Sequence, residues 1–256
     1  MTDPLAATDP ARSPAGAADG SPSPSVETRS ASPASGGPTE PAGTTSQMMK
    51  DGCWDLHQSA ESAELPKRLV KGEVPRDLYI RMLSQYYPFA TELDRLIAAH
   101  RGQVSELDGL VEESQYQGPY LEADLRYFGV EPSSVEPLPA VRSAIEEVRR
   151  VAEESPLLLL AYHYVREGAN NGNRFVAMKL RPALGLPEDG SGLRHLDPYG
   201  SDQRALWDRF KQRLDDLPLT AEQQRRLVSA GRRMFVLITE INAAVIASEG
   251  SERADG

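Results

Sequence analysis

Residues 75–102 read PRDLYIRMLSQYYPFATELDRLIAAHRG, and their apolar side chains return every three or four positions. This spacing places them on one face of an α-helix, which Gly102 ends. Pro88 lies inside the pattern, so we expect a kink there rather than two helices. The apolar face comprises Leu78, Met82, Leu83, Tyr86, Phe89, Leu93 and Leu96.

The same helical period recurs on both sides of this segment. It predicts helices over residues 56–71, 140–153, 156–184, 202–217 and 220–248, with Lys71-Gly72 as a stop signal and Thr220 as a capping start. Residues 105–138 read as short helices and loops. No alternation of period two and no internal repeat is found, so the predicted fold class is all-α.

Composition divides the chain into a tail and one domain. Residues 1–47 consist mainly of Pro, Ala, Gly, Ser and Thr, which bury too little apolar surface to offset their ordering entropy. We therefore expect a disordered tail at 1–47, one helical domain at 48–248 and a disordered C-terminus at 249–256.

Charge and hydropathy exclude several classes of protein. A net charge of −10 argues against binding to nucleic acid. No run approaches the ~18 apolar residues of a membrane span, and the tail has no apolar core of a secretory signal. Cys53 is the single cysteine, so no intramolecular disulfide forms. We expect a cytoplasmic, monomeric protein with no nucleic-acid or membrane partner.

His57 is the most interesting of the four histidines. It shares a helix face with Glu61, and the small residues Ala60 and Ala63 leave room for a flat ligand. An ordinary surface histidine is the simpler explanation of the same spacing. His100 ends a helix, and His195 lies in a polar loop.

Two glycines interrupt the most apolar helix, in the run REGANNGNRF at 166–175. Glycine within a helix costs about 1 kcal/mol relative to alanine, so Gly168 and Gly172 need an explanation. One explanation is a bulky planar ligand that the backbone approaches closely. The other is a close helix–helix crossing.

Several stretches, in their order along the chain, resemble the heme oxygenase family. They are LHQSAESAELP at 56–66, KGEV at 71–74, Arg76, Tyr86-Tyr87, AYHYVREGANNGNRFV at 161–176, RPALGLP at 181–187, LDDLPLT at 214–220 and MFVLITEI at 234–241. The resemblance covers nearly all of the predicted domain. YVREGA at 164–169 is most similar to the bacterial branch associated with bacteriophytochromes.

The resemblance implies a single helical domain with a kinked, glycine-containing distal helix. It also implies oxidative cleavage of heme to biliverdin, carbon monoxide and ferrous iron, with heme b as substrate and cofactor. This reaction uses O2. Its electrons must come from an external donor, because the chain has no G-x-G-x-x-G fingerprint. The expected partners are a ferredoxin or reductase and a biliverdin-accepting photoreceptor.

Site residues follow from the resemblance position by position. His57 falls on the iron ligand, Glu61 on its acidic neighbour and Tyr86 on a tyrosine of the distal hydrogen-bond network. Gly168 and Gly172 fall on the glycines over the heme face. The remaining cofactor contacts are Lys50 and Lys211 at the propionates, with Arg209 and Arg213 as alternatives to Lys211, and Phe235 in the pocket.

Three positions depart from the family pattern. Ala169 replaces an aspartate that organises distal waters, Asn173 replaces a glycine, and Trp207 replaces a propionate-side lysine. Asn170 and Asn171 are the residues we expect to order the waters instead. These departures leave a non-catalytic heme-binding or heme-sensing protein as the main alternative, ahead of a di-iron oxidase of the same fold and a purely structural helical module.

A basic set stands out in this acidic chain: Arg142, Arg149, Arg150, Arg225, Arg226, Arg232 and Arg233. It is a candidate docking surface for an acidic ferredoxin, although charged helix faces are commonly just solvated.

Overall fold

The computed structural model describes residues 43–254, with side chains to residue 249. This part of the chain is helical without strands, which confirms the all-α class. No helix in it is long and apolar enough to cross a membrane. The α-helices are α1 Thr45–Glu61, α2 Glu64–Lys71, α3 Arg76–His100, α4 Ser105–Leu110, α5 Gly118–Tyr127, α6 Pro139–Glu154, α7 Leu159–Ala183, α8 Gln203–Asp215 and α9 Ala221–Ala254.

The ends of the domain differ from the predicted boundaries. Helix α1 already begins at Thr45, where the Thr44 hydroxyl caps it by accepting from the Gln47 amide at 3.3 Å. Helix α9 continues to Ala254, past the predicted end at residue 248. The predicted tail lies, up to residue 42, outside the described residues. The capping start at Thr220 is confirmed by reciprocal hydrogen bonds between Thr220 and Gln223.

The single helix predicted over 56–71 is wrong, because these residues belong to two helices. Helix α1 ends at Glu61 and α2 begins at Glu64. Pro66 has no amide hydrogen, and its ring would clash with the carbonyl of Ser62, so the first helix cannot continue through this point. The stop at Gly72 is confirmed, with φ 72° in the left-handed region.

Helices α3 and α7 are each continuous over 25 residues. Pro88 therefore does not split α3. A short 3-10 turn at Pro156–Leu158 leads into α7. The predicted bend of α7 over a ligand stays a prediction.

The core lies where α3 and α9 meet the surrounding helices. Helix α3 packs against α5, α6 and α9, while α9 also packs against α1 and α7. Fully buried side chains such as Leu83, Leu93 and Tyr162 fill this interior. The arrangement leaves α9 in contact with the two helices that carry the predicted site.

Small residues set how closely α1 approaches α9. A Cβ on Gly52 would lie 2.4 Å from Val228 Cγ1, and one on Gly231 would lie 2.7 Å from Met49 Cε. The Arg232 guanidinium locks the same crossing, because it donates to both carboxylate oxygens of Asp55 at 2.5 and 2.9 Å. These contacts fix where α1 lies on α9 immediately before His57.

Candidate functional site

The α1–α2 segment and α7 touch at two points that lie far apart along α7. At one end the Tyr164 hydroxyl donates to the Ser46 carbonyl at 3.2 Å. At the other, a Cβ on Gly72 would lie 3.3 Å from the Lys179 carbonyl oxygen. About 22 Å of α7 separates Tyr164 from Lys179 at 1.5 Å per residue. We call the surface between these two contacts, bordered by α1 and α7 with α9 packed against both, the cleft.

One stripe of α7 faces this cleft. Gly168, Gly172 and Phe175 recur at helical spacing between Tyr164 and Lys179, whose contacts with α1 and α2 orient the stripe. Gly172 is exposed, and a Cβ there would meet no atom within 4 Å. A Cβ on Gly168 would lie 3.4 Å from the Trp207 ring. A close helix crossing therefore does not explain Gly172, which faces open space.

His57 lies on α1 between two aromatic rings. Its imidazole stacks on Trp54, with centroids 5.3 Å apart and planes at 9°. The Phe235 ring of α9 meets it edge-on, with centroids 5.8 Å apart. Apolar contacts thus hold the imidazole plane, while 41% of the His57 side chain remains exposed. The structure therefore brings together two predicted site residues, His57 and Phe235, and adds Trp54.

The nitrogens of His57 fit an iron ligand. Nδ1 is buried and has no hydrogen-bond partner among the described residues. Nε2 lies 3.6 Å from Glu61 Oε1, beyond hydrogen-bond distance. Because Nδ1 is buried, Nε2 is the nitrogen that can reach an iron in this ring orientation, and it is also the one near Glu61. Rotation of the ring about its Cβ–Cγ bond exchanges the two nitrogens, which would leave one for the metal and place the N–H of the other beside the carboxylate.

The predicted cations fall into two groups. Lys50 is exposed on α1, two turns before His57. The Lys211 ammonium lies 5.7 Å from the centroid of Trp207, the side chain that covers Gly168, and 3.0 Å from Asp208. The structure therefore places Lys50 and Lys211 beside the predicted ligand-facing residues.

Arg209 and Arg213 instead point to the α4 side of the molecule. Both pair with Glu112 Oε1, at 3.3 and 2.9 Å, and Arg213 also donates to the Gly109 carbonyl. All three cations are ion-paired, and what favours Lys211 over its two alternatives is its place beside Trp207.

Tyr86 donates a hydrogen bond to a residue that the sequence analysis did not single out. Its hydroxyl lies 2.5 Å from Asn242 Oδ1 on α9. Burial raises the pKa of Tyr86 to about 12, so the phenol keeps its proton at neutral pH. Asn242 follows Phe235 by two helical turns on the same face of α9. A polar residue in the apolar run LITEINAAVI was the available signal.

The two asparagines predicted to order distal waters lie in different surroundings. Asn170 is two residues from both Gly168 and Gly172, about 200° around the helix, and only 2% exposed. It therefore faces the interior behind α7. Asn171 donates to the Gly168 carbonyl at 3.0 Å, at the edge of the glycine stripe. Their role with water stays a prediction.

A buried polar cluster lies behind α7 and was missed from sequence. Glu167 is 2% exposed and accepts from the Tyr199 hydroxyl at 3.1 Å. Burial raises its pKa from 4.5 to about 7. Burial also holds the pKa of His163 well below its usual range, and the neutral ring accepts at Nδ1 from Arg166 at 2.9 Å. An acid directly before Gly168 in an apolar helix was the signal for this cluster.

His195 does not have the solvated position expected for a polar loop. It is 5% exposed, and its Nδ1 lies 3.0 Å from the fully buried Asp124. Asp124 also accepts from the backbone amides of Arg194 and His195. This histidine ties a loop to α5.

The basic set predicted to dock a ferredoxin is largely paired with acids. Arg142 donates to the Pro137 carbonyl, and the other members lie against carboxylates. These pairs are Arg149–Glu92, Arg150–Glu154, Arg225–Glu222, Arg226–Glu154, Arg232–Asp55 and Arg233–Glu147. The set is therefore not a continuous positive surface. Four of these pairs join different helices, while Arg150 and Arg225 pair with acids of their own helix.

The di-iron alternative requires a cluster of acidic and histidine ligands. In the part of the chain that the structure describes, no three His, Cys, Asp or Glu side chains lie close enough together to hold a metal ion. His57 is a candidate ligand for iron that is already held by a porphyrin, which needs a single axial side chain.

The chain is similar to known proteins over most of its length. A family model described as heme oxygenase matches residues 44–244. Heme oxygenase 2 of Synechocystis sp. is 25% identical over 210 residues, which cover 76% of this chain and 80% of that protein. Human heme oxygenase 1 is 24% identical over 196 residues, covering 75% of this chain and 68% of that protein.

Solved structures share the fold. The structure of heme oxygenase-2 from Synechocystis sp. PCC 6803 in complex with heme and NO gives a TM-score of 0.74 at 24% identity, covering 79% of this chain and 85% of that one. Heme oxygenase from Leptospira interrogans gives 0.72 at 23% identity, covering 78% and 98%. Because the family model spans most of the sequence and the helical fold agrees, the chain belongs to the heme oxygenase family.

Proposed function

We propose that this heme oxygenase holds the iron of its heme through His57 in the cleft between α1 and α7. The observation that carries this proposal is the state of the His57 imidazole. It is partly exposed, held flat by Trp54 and Phe235, and makes no hydrogen bond within the described residues through either nitrogen. Glu61, one turn along α1, orients the ring through its second nitrogen.

The chain's own residues then divide the work of binding. When bound, heme supplies both the iron that binds O2 and the ring that is oxidised to biliverdin, with release of carbon monoxide and ferrous iron. Lys50 and Lys211 hold the propionate carboxylates as compact cations. The Trp207 ring covers Gly168, whereas Gly172 leaves its part of the distal wall without a side chain. There the α7 backbone restricts how a small ligand can tilt.

On the distal side, this proposal gives the Tyr86–Asn242 pair a role in holding water: the Tyr86 hydroxyl donates its hydrogen to Asn242 Oδ1, so its oxygen is left to accept from water. The raised pKa of Tyr86 keeps its hydroxyl a hydrogen-bond donor throughout the neutral range. Asn242 holds that hydroxyl in place from α9. Asn171 is the proposed organiser of water near Gly168, where Ala169 supplies no polar group, since Asn170 faces the interior behind α7.

Electrons come from an external redox partner, as in the family generally. We propose a ferredoxin or a reductase, although the ion pairs of the basic set give charge steering a smaller role than expected. A biliverdin-accepting photoreceptor, a monomeric state and a cytoplasmic location complete the proposal.

Replacing His57, the proposed iron ligand, tests the proposal directly. The protein is loaded anaerobically with hemin, given reductant and then air, and followed by absorbance. Wild type should lose its Soret band and gain the broad red absorption of biliverdin. His57→Ala should lose both the axial-ligand spectrum and turnover, while His100→Ala, at the end of α3, should retain both. A wild type whose Soret band persists would instead identify a heme-binding protein without turnover.

A further inference from the structure

Two large aromatic side chains are exposed on opposite walls of the cleft. Phe175 on α7 is 66% exposed, and Trp54 on α1 is 43% exposed. Covering an exposed apolar ring with a flat apolar surface is favourable, because it removes apolar area from water. The question is what covers these two.

Phe175 lies on the cleft stripe of α7 defined above. It follows Gly172 by one turn and precedes Lys179 by one turn. The stripe is packed at both ends, by the Tyr164–Ser46 hydrogen bond and by the approach of Gly72 to Lys179. Helical spacing therefore places the exposed Phe175 on the face of α7 that carries Gly168 and Gly172.

Trp54 occupies the matching place on α1. It lies one turn after Lys50 and one turn before His57, on the helix face that carries both. Its indole is parallel to the His57 imidazole at 5.3 Å, which fixes the indole beside the predicted iron ligand. The exposed part of the ring is thus available to a ligand that reaches from His57 to Lys50.

We propose that Trp54 and Phe175 contact the macrocycle of a bound porphyrin from the two walls of the cleft. The inference rests on the proposed function and assigns two binding residues beyond it. A porphyrin is the occupant because it is flat and apolar over its faces and carries carboxylates for Lys50. Such a ligand spans the space between an axial histidine and a glycine stripe.

The test uses iron-free protoporphyrin IX alongside hemin, so that face contacts are separated from iron ligation. Phe175→Ala and Trp54→Ala should each weaken binding of both porphyrins by roughly ten-fold or more, as expected for an aromatic ring that loses its apolar cover. Met178→Ala is the matched control. Met178 is 59% exposed on the same helix but lies about 60° around it from Phe175, on the side away from Gly168 and Gly172, so its loss should be much smaller than that of Phe175→Ala.

Each outcome decides the matter. His57→Ala should weaken hemin binding but spare protoporphyrin IX, which separates the two proposals. If Phe175→Ala and Trp54→Ala bind protoporphyrin IX as wild type does, the proposed contact of these two residues with the porphyrin is wrong, even if hemin is still turned over. Equal losses in Met178→Ala would also overturn it, since the surface would then be a general apolar patch. A wild type that binds neither porphyrin overturns both proposals. The exposure of Phe175 predicts an unchanged thermal midpoint for its variant, measured in parallel.

Discussion

The ring of Phe235 stands edge-on to the imidazole of His57, with planes at 80°. This contact continues the crossing of α1 and α9. Gly231 lies one turn before Phe235, and the Cys53 sulfur, 3.2 Å from the Cβ position of Gly231, lies one turn before His57. The predicted iron ligand is therefore positioned by helix packing rather than by hydrogen bonds.

Gly52→Ala should disturb this crossing. The added Cβ would lie 2.4 Å from Val228 Cγ1, so α1 must move away from α9. We expect a loss of about 1–3 kcal/mol in the free energy of unfolding, typical of overpacking, together with weaker hemin binding through His57. Urea unfolding and hemin titration measure the two effects. Gly109→Ala, where a Cβ meets nothing within 4 Å, is the control. Equal stability of both variants would contradict the crossing argument.

Gly172→Ala should act in opposite directions on apoprotein and complex. Alanine favours the helix by up to ~1 kcal/mol over glycine, and a Cβ at Gly172 meets no atom within 4 Å. The apoprotein should therefore melt at a higher temperature. Hemin binding and turnover should fall, because the methyl group projects into the cleft. A variant that is stabilised yet binds hemin like wild type would remove Gly172 from the ligand wall.

Glu167→Gln should change how stability depends on pH. The folded state raises the pKa of Glu167 from 4.5 to about 7, mainly through burial, with Asp94 adding to the rise and Arg166 and Tyr199 opposing it. Between these pH values the folded protein holds a proton that the unfolded chain has released. Stability of wild type therefore falls as pH rises through this window, by up to roughly 3 kcal/mol.

Glu167→Gln removes this titrating carboxyl, so the variant's free energy of unfolding should rise relative to that of wild type as pH increases from 4.5 to above 7. Urea unfolding of both proteins at pH 5 and pH 8 measures the difference. Glu188→Gln, whose side chain is 89% exposed, should run parallel to wild type. Parallel curves for Glu167→Gln as well would show that its carboxyl is ionised normally in the fold.

Lys211→Ala should weaken hemin binding by several-fold, whereas Arg209→Ala should leave it nearly unchanged. Lys211 lies against Trp207 beside Gly168, while Arg209 pairs with Glu112. Hemin dimethyl ester, which has no free carboxylates, separates charge from packing. The two variants should bind the ester equally, and the loss with hemin should shrink as salt rises. A comparable loss in Arg209→Ala would reinstate it as the propionate partner.

The order of the helices was readable from periodicity, and their fold from the family resemblance. Apolar residues at helical spacing predicted α3, α6, α7 and α8 to within a few residues, and the start of α9 but not its end, because helix formation depends on neighbours along the chain. The break before α2 was missed, although Pro66 marked it. The roles predicted for His57 and Gly168 came from the family resemblance, since the order of several motifs indicated them and the local spacing did not.

The sequence by itself determined the helical class, the family and the candidate ligand His57. Only the tertiary structure decided which cation lies beside the glycine stripe, which acids neutralise the basic set, and that Trp54 and Phe235 hold the imidazole. It also revealed Glu167 and Asn242 as buried polar partners. The reason is physical: a residue's partner across a helix interface, and the burial that shifts its pKa, come from segments distant in the chain, which no local pattern encodes.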